Sequence, residues 1–177
     1  MKFYFKNTSL LLACFLVGTI HSSYSFANSS FAQQNLISVN LVKVDKSARK
    51  MYLFADDKVV RTYHIALGGN PKGHKQQEGD NKTPEGDYVL DYKKEDSSFY
   101  RAMHINYPNE KDIANAQKMG VSPGGFIMVH GQANGDTGNP KYRQRFNWTN
   151  GCIALTNDEI DEFLSLVNSG TKISIYW

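Results

Sequence analysis

The chain is 177 residues long, 41% hydrophobic and 21% charged, with a formal net charge of +3, the profile of one globular domain with enough apolar material for a core. That charge is too balanced for nucleic acid to be a partner, since a phosphate backbone demands a concentrated basic surface. No internal repeat, low-complexity tract or second domain is visible.

Lys2 and Lys6 precede the apolar run LLLACFLVGTI, and Ser25-Phe26-Ala27 places small residues at a cleavage position. This is the layout of a secretory signal peptide over residues 1–27. The run is shorter than the roughly 20 apolar residues of a membrane helix, so no stable membrane insertion is expected after cleavage. Leu12-Ala13-Cys14 has the form of a lipoprotein box, but only a short apolar stretch precedes Cys14. The expected product carries a flexible polar tail over residues 28–36 and a folded domain over 37–177. With Cys14 removed, Cys152 is the single thiol and no internal disulfide can form. Exported domains usually carry cysteines in pairs or none, so this thiol is either an inert buried side chain or retained for reactivity.

Alternation of Ile37, Val39 and Leu41 and the run Val42-Lys43-Val44 predict a first strand, with a turn at Asp45-Lys46-Ser47. Residues 51–54 form a second strand, Asp56-Asp57 a hairpin turn, and residues 58–67 a third strand, together an antiparallel start with one face buried. Residues 68–86 hold five glycines and two prolines and cannot be a regular element. A loop of this length within a compact domain is more often functional or mobile. His74, within it, is expected to be an exposed loop histidine. Thr83-Pro84-Glu85-Gly86 is a turn feeding a strand over residues 87–92. A further strand covers residues 99–106 and ends at Tyr107-Pro108. His104 on it reads as structural or pocket-lining. A short helix starts at Asn109 or Asp112 and runs through Met119, with Gly120 as its stop.

Pro123-Gly124-Gly125 launches the apolar run 126–129, expected to be a strand buried on both faces that delivers His130 and Gly131. Thr156 and Glu159 form a capping box for a helix over residues 157–167 with Ile160, Phe163, Leu164 and Val167 on one face. Residues 171–177 make a last strand with Ile173 and Ile175 pointing one way. The fold class is α+β and β-rich, with central strands ending at the loop between His130 and Cys152.

That loop concentrates the chemistry. A free thiol with a pKa of about 8.5 is a weak nucleophile at neutral pH until a base takes its proton, and His130 is the expected base for Cys152. The turn Trp148-Thr149-Asn150-Gly151-Cys152 places a glycine before the thiol, where the backbone can bend sharply and offer the N–H groups of Gly151 and Cys152 as an oxyanion hole. Lys141, Arg143 and Arg145 lie in the loop and could bind a substrate carboxylate, for which the arginine fork is well shaped. Trp148 and Tyr142 are candidates for a pocket wall, and Thr149 and Asn150 for substrate contacts.

At these residues the sequence resembles the L,D-transpeptidases with a YkuD-type catalytic domain. Their His-Gly pair and Ser/Thr-x-Gly-Cys-Ile/Val turn are matched by His130-Gly131 and Thr149-Asn150-Gly151-Cys152-Ile153. Gly69-Asn70-Pro71-x-Gly73-x-Lys75, Gly79-Asp80 and Thr83-Pro84-Glu85-Gly86-x-Tyr88 look like the segment that precedes the catalytic half in one branch of the family. The resemblance covers most of the chain after about residue 36. It implies a mixed β-sandwich with short flanking helices and location in the periplasm or cell envelope. It also implies acyl transfer on peptidoglycan stem peptides through a Cys152 thioester, cleaving after the diamino acid at position three, with no metal or organic cofactor. In the family the imidazole is oriented by the residue after the histidine, here the Gly131 carbonyl. The family's arginine two residues after the nucleophile is replaced by Ala154, and Arg143 or Arg145 is expected to substitute. The acceptor is a second amine for a transpeptidase. That amine belongs to another stem or to a wall-linked protein lysine; the alternative acceptor is water, as in an amidase or L,D-carboxypeptidase of the same fold, including one that cleaves wall-linked peptides or proteins.

Two readings from other classes compete. A zinc hydrolase would use His130, Cys152 and one of His64, His74 or His104, but no paired spacing such as His-x-x-x-His supports it. A non-enzymatic envelope-binding domain would leave the Gly-Cys turn without a purpose.

Overall fold

The structure is a computed structural model that describes residues 1–4 and 38–177. The chain divides into two units, Met1–Gln34 and Asn35–Trp177, and every element below belongs to the second. The expected signal peptide, the tail over residues 28–36 and Ile37 lie outside the described residues, apart from residues 1–4.

Strands β1 (Leu41–Asp45), β2 (Lys50–Ala55) and β3 (Lys58–His64) form an antiparallel meander. Val42 and Val44 on β1 and Met51 and Leu53 on β2 are fully buried, while the residues between them are not. This is the period-two pattern of a sheet with one face on the core. Asp56 and Asp57 both have positive φ, 48° and 63°, as the two central residues of a type I′ hairpin turn require. Next come β4 (Gly86–Ser97), β5 (Tyr100–Ile105), α1 (Glu110–Met119), β6 (Met128–His130), α2 (Pro140–Arg143), β7 (Ile153–Ala154), α3 (Asn157–Leu166) and β8 (Thr171–Tyr176).

The eight strands make one mixed sheet in the order β3-β2-β1-β8-β4-β5-β6-β7. The last strand lies parallel to the first, Val42 opposite Ile173 and Val44 opposite Ile175, and antiparallel to β4. Those four side chains join one apolar cluster with Ile160, Phe163 and Leu164 from the buried face of α3. Both ten-residue helices carry capping boxes, Asn109 with Asp112 on α1 and Thr156 with Glu159 on α3. Each box satisfies two of the N–H groups that a helix start leaves unpaired.

Beyond its strand end, β3 continues irregularly and meets the opposite edge of the sheet. Ala66 donates to and accepts from Ala154 at 3.0 and 2.8 Å, Thr149 N–H donates to the Leu67 carbonyl at 3.2 Å, and Gly69 N–H donates to the Thr149 carbonyl at 2.9 Å. The sheet is therefore curled until its two edge strands touch, and the touching point is the turn that holds Cys152.

Several sequence expectations shift. The third strand stops at His64, because Ile65 bonds back to Arg49 and residues 66–68 bond across the curl instead of to β2. β4 runs to Ser97, well past Tyr92, since its charged stretch Lys93 to Asp96 pairs with β5 with register shifts. The run at 126–129 is not a strand buried on both faces: only Met128–His130 is strand, and Phe126 is 80% exposed at φ 54°. The strands bearing the site lie at one end of the strand order, not at its centre; only the curl encloses them. Among the described residues no helix is long and apolar enough to cross a membrane.

Candidate active site

β6 and β7 run parallel, with Val129 opposite Ile153 and His130 opposite Ala154. Carried one residue back, that register sets Cys152 beside Met128. Because alternate residues of neighbouring strands share a face, Cys152 and His130 are diagonal neighbours on the same side of the sheet. The Cys152 thiol donates to the Phe126 carbonyl at 3.6 Å. The left-handed backbone at Phe126, uncommon for an aromatic residue, is what directs that carbonyl.

His130 is buried at the end of β6. Its Nδ1 lies 2.7 Å from the Gly131 carbonyl oxygen. A carbonyl can only accept, so Nδ1 carries the proton and Nε2 presents its lone pair. The ring is packed by Phe99, with centroids 4.5 Å apart, and by the edge of Trp148 at 5.6 Å. This apolar enclosure disfavours the imidazolium and holds the pKa down at about 4 despite the Gly131 bond. Burial likewise pushes the Cys152 thiol up, against the opposing pull of the Met128 N–H and the Lys75 charge. Both shifts disfavour the charged forms, thiolate and imidazolium alike.

Glycine is required at both flanks. A Cβ on Gly131 would lie 2.6 Å from Asn157 Oδ1 and 3.2 Å from the Phe99 carbonyl oxygen. Gly151 has φ +135°, and a Cβ there would lie 2.7 Å from the Lys82 carbonyl oxygen. The turn is held by Thr149, whose hydroxyl donates to the Cys152 carbonyl at 2.7 Å and accepts from Gly151 N–H at 3.1 Å. Of the expected oxyanion pair, the Gly151 N–H is engaged inside the turn, because a Ser/Thr hydroxyl two residues upstream competes for it.

The loop between the two motif halves contains α2, which the sequence reading did not anticipate. Asn139 caps it and Pro140 opens it. Gln144, buried, donates to the Ala154 carbonyl at 2.7 Å, and Arg49 donates to the carbonyls of Gln144 and Arg145. The loop is thus fastened onto β7. Arg143 pairs with Asp136 at 2.6 Å and lies over the Trp148 ring at 5.5 Å. Arg145 lies over the Tyr142 ring at 5.7 Å. Of the two arginines proposed as substitutes, only Arg143 adjoins the ring that packs on His130. Arg143, Trp148 and Tyr142 line a cavity of about 230 Å³. Ala154 is fully buried between His130 and Ala66.

Three further side chains are placed by the tertiary structure alone. Lys46, in the turn after β1, is fully buried; its Nζ donates to the Gly73 and Thr83 carbonyls at 2.9 and 2.7 Å and pairs with Glu85 at 2.9 Å. Lys75, also buried, donates to the Gln77 carbonyl and pairs with Asp80 at 2.8 Å. His74 is not the exposed histidine expected: its Nδ1 accepts from Glu85 N–H and its Nε2 lies 3.1 Å from Asp112. Lysines within and beside a glycine-rich loop were the available signal, but sequence shows neither their burial nor their partners. His104 stacks on Tyr92 and bonds to Asp91 at 2.8 Å, and His64 is exposed on β3. The three histidines named for a zinc site thus lie in separate settings.

Residues 40–175 match the YkuD family, the L,D-transpeptidase catalytic domain. YafK of Escherichia coli strain K12 is 27% identical over 192 residues, covering 97% of this chain and 70% of that protein. YqjB of Bacillus subtilis strain 168 is 26% identical over 138 residues, covering 76% of this chain and 69% of that one. Both bear a provisional L,D-transpeptidase name. Among solved structures, the helical cell shape determining protein Pgp2 of Campylobacter jejuni superposes with a TM-score of 0.57 at 26% identity, covering 80% of this chain and 51% of Pgp2. The chain thus spans about half the length of that solved relative. The mostly β, curled sheet with a few short helices is the fold these neighbours share.

Proposed function

Because the chain belongs to the YkuD family of L,D-transpeptidase catalytic domains, we propose that it performs cysteine-dependent acyl transfer on peptidoglycan stem peptides, with Cys152 as nucleophile and His130 as base. The observation that carries this reading is the orientation of His130. Its Nδ1–H is fixed on the Gly131 carbonyl at 2.7 Å, so Nε2 is the nitrogen left with a basic lone pair in a dry pocket. The thiol, neutral at rest, gives its proton to Nε2 as sulfur attacks the substrate carbonyl. The imidazolium so formed then protonates the departing D-amino acid nitrogen, leaving an acyl-thioester and a neutral imidazole. A second amine, taking the acyl group with the same base assisting, completes a transpeptidation; water completes a carboxypeptidase or amidase turnover.

The tetrahedral oxyanion needs donors. With Gly151 N–H held by Thr149, the Cys152 N–H is the donor assigned from the turn. Trp148 and Phe99 exclude water around the imidazole, which strengthens each of these interactions. The domain assignment over residues 37–177, its export by a signal peptide over 1–27 and its location in the cell envelope belong to the same reading, supported by the wall-acting family and by the leader-like sequence.

The test is mass spectrometry of the protein incubated with disaccharide-tetrapeptide. An acyl adduct on Cys152, absent in Cys152→Ala at unchanged circular dichroism, is the expected result. Crosslinked dimers as product identify transfer, and free tripeptide without dimers identifies hydrolysis. Turnover by the Cys152→Ala protein at the wild-type rate would overturn the assignment.

A further inference from the structure

The strand register sets a second histidine on the face of the sheet that carries the nucleophile. His104 on β5 lies opposite Met128 on β6, and Cys152 lies beside Met128, so the three side chains form one row. Met103, Val129 and Ile153, one position away on each strand, are fully buried on the other face, whereas His104, Met128 and Cys152 are each partly exposed. Two strand spacings, roughly 10 Å, separate the backbones of His104 and Cys152. Phe126 touches both residues. Its carbonyl accepts from the thiol at 3.6 Å, and its ring, 80% exposed, meets the His104 ring edge to face with centroids 6.5 Å apart.

The setting of His104 differs from that of His130. Between Leu90 and Lys93 the register of β4 on β5 shifts, so that Asp91 and Tyr92 together oppose His104, the two-against-one arrangement of a bulge. Both side chains therefore reach the same ring. Tyr92 stacks on it with centroids 4.7 Å apart and planes 14° apart, and Asp91 Oδ1 lies 2.8 Å from its Nδ1. A carboxylate accepts, so Nδ1 carries the proton and Nε2 keeps the lone pair, with no partner among the described residues. Asp91 Oδ1 also accepts from Tyr92 N–H at 2.9 Å, while its Oδ2 has no donor among the described residues. The His104 side chain is 15% exposed. An imidazolium there has a carboxylate beside it and water within reach of its proton. His130 has neither: it is buried, its ring is bonded to a carbonyl, and burial disfavours its cation.

Transfer of the acyl group to an amine releases a proton that acylation does not. An alkylamine of pKa about 10.4 arrives as an ammonium, with less than about one part in a thousand free base at pH 7. Of its three protons one stays in the new amide, one returns to the Cys152 sulfur and one must leave for solvent. We propose that the His104–Asp91 pair is the base that takes this last proton, and so converts an incoming ammonium acceptor into the free amine that attacks the Cys152 thioester. The proposal rests on the acyl-transfer reading above and supplies a residue for its second half. The ammonium is held by Asp91 Oδ2 and the exposed Phe126 ring, and it gives one proton to His104 Nε2. The free amine then forms a bond to the thioester carbon, and the carbonyl π pair moves onto oxygen. His130 Nε2 takes a proton from the newly bonded nitrogen. The oxyanion pair re-forms the carbonyl, the C–S bond breaks with its electrons on sulfur, and the sulfur takes the proton from His130. His104 passes its proton to water, which leaves an amide, a thiol and one proton in solvent.

The test separates the two half-reactions. Acyl-enzyme is formed on the full chain with disaccharide-tetrapeptide, freed of donor, and its loss timed by mass spectrometry with two acceptors: a stem with a free alkylamine, cationic at pH 7, and methoxyamine, which is neutral there. His104→Gln should form the thioester at close to the unsubstituted rate and slow transfer to the alkylamine roughly a hundredfold at pH 7. Transfer to methoxyamine should change little. The alkylamine deficit should close toward pH 10, where solvent itself supplies free amine. Asp91→Asn keeps an acceptor for Nδ1–H without its charge, and a loss of roughly tenfold with the same dependence on acceptor is expected. A histidine that only shapes the sheet would slow both acceptors equally at every pH. That result, or unchanged transfer to the alkylamine in His104→Gln, would overturn the proposal. If His104→Gln does not fold, Asp91→Asn decides by the same comparison of acceptors. A thioester that yields only to water at every amine concentration would also overturn it while leaving the thioester chemistry standing. Absence of any thioester on the unsubstituted chain would instead overturn the acyl-transfer reading, and this proposal with it.

Discussion

His130 and Cys152 are each set by burial more than by one another. An imidazole held at a pKa of about 4 is neutral across the physiological range, so the base should fail only in acid. The acid limb of kcat/KM for acylation is expected near pH 4 instead of near the ordinary histidine value of about 6.5, read from a pH profile of thioester formation. The same shift makes the fold acid-sensitive. The unfolded chain takes up the histidine proton below about 6.5 and the folded one only below about 4, so between these values the unfolded state binds more protons and stability falls as pH falls. Denaturant titrations at pH 7 and pH 4 should differ by roughly 3 kcal/mol from this group, a difference that a His130→Gln chain should largely lose. On the cysteine side, a raised thiol pKa predicts slow alkylation by iodoacetamide at neutral pH. Because desolvation sets that pKa, His130→Ala should cut turnover at least a hundredfold while moving the alkylation midpoint little. A midpoint displaced by a full pH unit would show that the imidazole, not burial, governs the thiol. At Gly151, alanine would meet the Lys82 carbonyl oxygen at 2.7 Å with a backbone at φ +135°. A loss of about 2 kcal/mol is expected for Gly151→Ala, several degrees in thermal midpoint, together with loss of acylation.

Among the elements, the loop over residues 68–86 has the largest gap between its irregular sequence and its ordered structure. No repeating hydrogen-bond ladder supports it; buried charges do. Lys46 ties two of its carbonyls and Glu85 to the turn after β1, and desolvation lowers the Lys46 pKa even as Glu85 raises it. Thr83 Oγ1 accepts from Gly68 N–H at 3.1 Å, and His74 joins Glu85 to Asp112 on α1. Lys46→Met would leave two carbonyls and a carboxylate short of their cation, which costs about 3 kcal/mol or more. Hydrogen exchange should localise the loosening to residues 68–86 and to the Gly151 turn they support, and Lys46→Arg should recover part of it. Protection unchanged in this loop would show that its backbone contacts suffice. The α2 loop is the counterpart on the other side of the site, pinned through Gln144 and Arg49.

At the scale of the whole molecule, β8 is the piece on which the others depend. It lies between β1 and β4, so the sheet cannot assemble until the C-terminal residues are in place. Deleting residues 171–177 should therefore abolish the cooperative unfolding transition, and limited proteolysis should find no protected core. A truncated chain with native-like near-ultraviolet dichroism would contradict this central role. The curl that presses Ala66 onto Ala154 and Gly68 onto Thr149 is a consequence of the same assembly, and it is what brings the loop wall and the nucleophile turn to one place.

Much of this was legible in the sequence. The alternation on β1 and β8, the capping boxes of α1 and α3, the hairpin aspartates and the His-Gly and Thr-Asn-Gly-Cys pairs depend on local spacing, which sequence carries directly. The bond from His130 to the Gly131 carbonyl stands where the family resemblance placed it, because it joins adjacent residues. What could not be read depends on neighbours distant in the chain. Phe126 looked like core and is exposed, since apolar content does not reveal a left-handed backbone. His74 looked like loop and is bonded to Asp112, 38 positions further on by number. The Gly151 N–H looked free and is taken by Thr149. The upward shift of the thiol pKa could not be read either, because it follows from desolvation, and desolvation exists only once the chain has closed. Sequence by itself determined the elements and the reacting residue types; tertiary structure decided which groups are dry, which donors are spent, and which loop stands beside the sulfur, because each of these is a property of packing between segments and not of any one segment.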